Sequence, residues 1–250
     1  MKKFLKENWK FLLLVLIGGL IGGYCVGIFG YDTLSEELLK QMQEQNVTKE
    51  MMGFSSMIQY GILFGIILAS IGIVISKKIK LHKDFKFDKK AIFATIIITI
   101  ISALILFPGD KLIFGSFNSW VNEQYMVKPT IYKMVGGVLV GGIIEEVMMR
   151  LFFMSLIVLV ISKILRKKEI PTKVFIIANV LAALLFAAGH LPSTATMTTL
   201  TPLVIFRCFL FNGGLGMAFG YLYRKYGIGY AVIAHGATHL IADTLMIIFI

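Results

Sequence analysis

The sequence predicts an all-α fold: a polytopic membrane protein, a bundle of about seven transmembrane helices with any active site inside the helix core. Three observations carry this expectation. Hydrophobic residues make up 57% of the 250-residue chain, whereas a soluble domain holds about 45–50%. The mean hydropathy is +0.82, and the apolar residues gather into runs long enough for the ~20 residues a spanning helix needs. The basic residues fall in short segments between those runs, where topology signals belong.

The first run, 11–30, follows lysines at 2, 3, 6 and 10. A basic end before an apolar run has the form of a secretory signal. No convincing cleavage site precedes Tyr31, so the run is expected to stay as the first helix. The loop 31–50, with five acids against two lysines, leads to the second run, 56–76. Segment 77–90, KKIKLHKDFKFDKK, holds seven lysines and precedes the third run, 91–107. The fourth run, 131–161, is too long for one untilted helix; it must tilt, break near Gly141 and Gly142, or divide into spanning and interfacial pieces. The basic segment 162–173 contains Lys163, Arg166, Lys167, Lys168 and Lys173 and introduces the fifth run, 174–190. The sixth run, 202–222, includes NGGLGMAFG, whose glycines suit close helix contact. Arg224 and Lys225 separate it from the last run, 229–250. The alternation of basic and less basic segments places the N-terminus in the cytoplasm and the C-terminus outside.

The formal charge of +11 is therefore read as topology signal and contact with the bilayer, not as a nucleic-acid surface. Cys25 and Cys208 both lie inside apolar runs, which argues against a disulfide framework and against a cysteine metal motif. One structural domain is expected, with 1–130 as an N-terminal three-helix region and 131–250 carrying the chemistry.

Charged and histidine side chains inside the apolar runs are costly and are functional candidates by default. They are Glu145, Glu146, Arg150, His190, Arg207, His235, His239 and Asp243; the remaining histidine, His82, lies in a basic loop. Arg207 and Asp243 fall at similar depths on two helices joined by a short loop, so they are expected to pair. The alternative is that each reaches water at the outer face.

On a helix, Glu146 and Arg150 are four apart and share a face, whereas Glu145 points about 100° away. Glu146–Arg150 is then a structural pair, and Glu145 is a carboxylate held near a positive charge, able to act as a general base. His235 and His239, in HGATH, are likewise four apart. With His190 they allow two chemistries. In one, Glu145 and His190 activate water while His235 and His239 stabilise an oxyanion. In the other, the three histidines hold zinc and Glu145 is the base. Bland readings compete: the ion pair simply holds helices together, His190 and Phe186 pack, and HGATH lacks the glutamate of a HExxH zinc motif.

EEVMMR at 145–150, FAAGH at 186–190 and HGATH at 235–239, in this order and inside apolar runs, resemble the EExxxR, FxxxH and terminal histidine motifs of the CPBP family. That family, also called Abi, comprises CAAX proteases and bacteriocin-processing enzymes. The resemblance covers roughly 131–245. It implies an intramembrane endopeptidase acting on a membrane-associated peptide or protein, in a bacterial plasma membrane. Glu145 and His190 would activate water, His235 and His239 would support the oxyanion, and Glu146 and Arg150 would support the site. His239 stands where the family commonly has asparagine. An asparagine amide is a poor zinc ligand, which argues against zinc in members that carry it, whereas a histidine there makes a three-histidine site possible; glutamate catalysis without a tightly bound cofactor is favoured, with zinc on His190, His235 and His239 as the alternative. A non-catalytic scaffold or a bacteriocin self-immunity protein is another alternative. A transporter would more readily show repeated halves, and none is visible.

Overall fold

A computed structural model of the chain describes residues 2–166 and 169–250. Lys167 and Lys168 lie outside the described residues. Among the described residues, seven helices are long and apolar enough to cross a membrane: α1 (Lys2–Asp32), α2 (Lys49–Lys78), α3 (Lys89–Ile113), α4 (Ile131–Leu165), α5 (Thr172–Ala195), α6 (Pro202–Tyr226) and α7 (Ile228–Phe249). The described residues contain no strand. The protein is an all-α integral membrane protein.

Local sequence sets the helix ends. Asp88 accepts from the backbone N–H groups of Lys90 and Ala91 and starts α3. Thr48, Thr130 and Thr201 cap α2, α4 and α6 in the same way. Such caps satisfy amides that have no partner inside the helix. Between α6 and α7 there is a single residue, Gly227, at φ +102°, a conformation that side chains resist. Lys83 closes this turn from outside by donating to the carbonyls of Arg224 and Lys225 at 3.1 and 2.6 Å.

A bundle in lipid gains no hydrophobic drive between helices, so close backbone approach matters. On α1, Gly19, Gly23 and Gly27 lie against backbone atoms of α2; a Cβ at any of them would come within 2.4–2.7 Å of a carbonyl oxygen. Gly18 and Gly22 meet α4 at Ile143, Leu139 and Val140. Large exposed aliphatic side chains cover the outside, among them Leu14, Ile97, Leu184 and Ile233. In water this would be a liability; facing acyl chains it is the expected surface.

The fourth run does not break at Gly141–Gly142. It continues as one 35-residue helix, with wide turns of i→i+5 type over Gly137–Glu145 and Val147–Met154. At ~1.5 Å per residue it exceeds the ~30 Å hydrocarbon core, so this continuous helix must tilt or project beyond the core. Widened turns recur at functional sites, and here they flank the two glutamates.

The expected Arg207–Asp243 pair does not form. Both nitrogens Nε and Nη2 of Arg207 donate to Asp110, and Tyr125 donates its hydroxyl to the same carboxylate at 2.5 Å. Asp243 instead faces Lys133 at 3.3 Å. The reason lies in α3. The third run ends at 107, yet a wide turn over Ile105–Gly109 accommodates Pro108 and carries the helix to Ile113. Asp110, which lies beyond the 91–107 run, is thereby held in the helix and fully buried. We expect a double-mutant cycle on thermal stability to show coupling for Arg207→Ala with Asp110→Asn, of roughly 0.5–3 kcal/mol. Arg207→Ala with Asp243→Asn should be additive.

Candidate active site

α7 packs against α3, α4 and α6, and α5 packs against α4 and α6. The three motifs on α4, α5 and α7 therefore meet inside the bundle. Gly142 of α4 and Gly236 of α7 bring their helices almost to backbone contact, since a Cβ on Gly142 would lie 2.7 Å from the Cα of Gly236. One residue earlier, a Cβ on Gly141 would lie 2.9 Å from Nε2 of His239 and 3.6 Å from Nε2 of His235. The absence of side chains on this stretch is what lets both imidazoles lie against α4, just ahead of the glutamates.

Glu146 and Arg150 form the expected pair, Oε1 to Nη1 at 3.0 Å, with both side chains essentially inaccessible. Arg150 also donates from Nη2 to the carbonyl of Gly216 on α6 at 2.9 Å and lies over the rings of Phe186 and Phe219. The same Glu146 oxygen sits 2.8 Å from Nδ1 of His235. Glu146 thus has a second partner beyond the expected pair. With Glu146 ionised, Nδ1 carries the proton, so the Nε2 edge of His235 is turned toward Glu145. Phe219 stacks on the His235 ring at 4.5 Å, and His239 stacks at 5.1 Å.

Glu145 points elsewhere and keeps 21% side-chain exposure, so it retains a route to water. Its carboxylate lies 3.7 Å from Nε2 of His190 and 3.9 Å from Nε2 of His235. Both gaps exceed hydrogen-bond length, so these groups flank a shared space rather than bond one another. Nδ1 of His190 donates to the Phe186 carbonyl at 2.8 Å, which orients its Nε2 edge toward Glu145. Phe186 packs edge-on against His190 at 4.6 Å and beneath Arg150; its packing positions the site.

The structure therefore brings Glu145, Glu146, Arg150, His190, His235 and His239 together, and leaves Arg207 and Asp243 in separate ion pairs. Beside His235 and His239 lies a cavity of about 50 Å³, lined also by Asn212 and Thr238. Sequence reasoning passed over Asn212, although an amide inside an apolar run is itself a signal. As for zinc, among the described residues no three His, Cys, Asp or Glu side chains converge as metal ligands. Cys25 and Cys208 are both free thiols.

No curated protein and no solved structure matches the chain. Residues 127–241 match the family described as type II CAAX prenyl endopeptidase Rce1-like. That stretch begins just before α4 and ends within α7, so it contains all three motifs and the whole cluster around Glu145. The stretch of the chain that holds the cluster around Glu145 is therefore the stretch similar to the Rce1-like domain of CAAX proteases, a family of membrane proteases.

Proposed function

We propose that this protein is an intramembrane endopeptidase in which Glu145 activates water against a peptide bond of a membrane-associated peptide or protein. The observation that carries the reading is the placement of the Glu145 carboxylate between the Nε2 atoms of two histidines from different helices, at 3.7 and 3.9 Å. Glu145 takes a proton from water, and the hydroxide oxygen attacks the scissile carbonyl carbon. The carbonyl π electrons move to oxygen, giving a tetrahedral oxyanion. The Glu145 proton then passes to the departing amine as the C–N bond breaks. His190, oriented by the Phe186 carbonyl, holds the water beside Glu145. His235 and His239 face the oxyanion. The Glu146 carboxylate, 2.8 Å from Nδ1 of His235, fixes the orientation of that ring as an orienting acid does.

In this proposal no step passes through a metal. The test uses purified protein in lipid nanodiscs with an internally quenched membrane-anchored peptide. Cleavage should persist after dialysis against a strong chelator, and His239→Asn should retain substantial activity, since an amide N–H also donates to an oxyanion. One zinc per chain by elemental analysis, with activity lost on chelation and restored by zinc, would overturn the reading. A scaffold or immunity role predicts no cleavage of any peptide from the native membrane. The basic segments favour a cytoplasmic N-terminus and an outside C-terminus in a bacterial plasma membrane.

A further inference from the structure

Away from the Glu145 cluster, a second and larger cavity of about 340 Å³ opens at the basic end of the bundle. This lies within the ~300–1,000 Å³ of ordinary ligand pockets. Its walls are apolar and come from four helices: Phe11 and Leu14 of α1, Ile73 of α2, Leu151 of α4, and Val232 and Ile233 of α7. Leu14 and Ile233 are about half exposed on the lipid-facing surface, so the cavity opens sideways into the bilayer. None of Glu145, His190, His235 or His239 lines it.

Its mouth is polar, formed by Glu7 and Asn8 of α1 and by His82, Lys83 and Asp84 of the segment between α2 and α3. The acid Glu7 is already met by Lys77 at 3.4 Å, and Asp84 stands 3.7 Å from His82. Around the mouth the charge is strongly positive. Segment 77–90 carries seven lysines against two aspartates, and the first ten residues carry four lysines against one glutamate. Lys3 lies one helical turn from Glu7, and Lys80 and Lys86 flank the mouth-lining stretch; all three are exposed. Among the described residues none of these three has an ion-pair partner. Phe85 and Phe87 alternate with the lysines and are also exposed, the pattern of a segment lying at a headgroup layer.

We propose that this cavity is a binding site for one anionic phospholipid of the surrounding bilayer. Its acyl chain enters between Leu14 and Ile233, and its headgroup sits under Lys3, Lys80 and Lys86. The side opening selects an occupant already dissolved in the membrane, the apolar walls match an acyl chain, and the unpaired ammonium groups match a phosphate diester. The floor residues Leu151 and Val232 belong to the same helical stretches as Arg150 and His235, so the bound lipid abuts the catalytic helices without touching the site.

The test does not depend on proteolysis. The full chain is held in nanodiscs of equal phosphatidylcholine and phosphatidylglycerol, released into mild detergent, and weighed by native mass spectrometry. One retained phosphatidylglycerol per chain is expected, favoured over phosphatidylcholine by roughly tenfold or more, given the attraction of several lysines. Leu14→Trp, which fills the opening, should lose the retained lipid. The triple change Lys3→Gln, Lys80→Gln, Lys86→Gln should keep a lipid but erase the preference. Thermal melting in phosphatidylcholine alone reports whether each variant is folded. Phosphatidylglycerol with a photoreactive acyl chain gives a check on the wild type itself, with cross-links expected at 11–14 and 228–233. Absence of retained lipid, equal retention of both lipids, or cross-links scattered around the bundle would each overturn the proposal.

Discussion

Glu145→Gln is expected to abolish measurable peptide cleavage while leaving a folded, membrane-inserted protein. The substitution preserves size and removes only the ionisable group. Loss of a general base is typically worth ~10²–10⁴ in rate. Stability should change little, because Glu145 is partly exposed and its two histidine neighbours stand beyond hydrogen-bond length. Turnover of a quenched membrane peptide and thermal melting, measured on the same preparation, separate the two effects. Near-normal turnover in the glutamine variant would remove Glu145 from the role of base, and a melting temperature that collapsed would make it a structural residue.

Arg150→Ala is expected to lower both folded yield and activity. Its guanidinium is buried and joins three helices: it pairs with Glu146 on α4, donates to Gly216 on α6, and lies over Phe186 on α5. Removing one partner of a buried ion pair costs on the order of 3–5 kcal/mol in soluble cores. A second loss follows through Glu146. Without Arg150 that carboxylate is no longer held, and it is the group that orients His235 through Nδ1. Arg150→Lys should recover only part of the loss. An ammonium lacks the planar fork that serves a carboxylate and a carbonyl at once. The measurement is detergent-extracted yield, melting temperature and specific activity of the folded fraction. Full activity with unchanged melting in the alanine variant would show that the pair supports neither fold nor site.

Glu146 was legible as the partner of Arg150 from their spacing of four on one helix. Its contact with His235 was not, because 89 residues separate them and only the α4–α7 crossing at Gly142 and Gly236 brings them together. Likewise, the exposure of charge in apolar runs pointed to Arg207 and Asp243 as residues needing partners. It could not choose the partners. Similar depth on neighbouring helices did not select the partners, because it ignored rotation about the helix axis and the true end of α3, which a wide turn carries past Pro108 to Ile113.

By itself, the sequence determined the number of spans, since apolar run length against bilayer thickness is a one-dimensional quantity. It also singled out the residues that gather around Glu145, because buried charge in lipid is rare enough to be conspicuous. Which side chains face one another was decided only by tertiary structure. Partner choice depends on helix rotation, crossing and the few glycines that permit backbone contact, and these follow from packing every helix at once rather than from any single run.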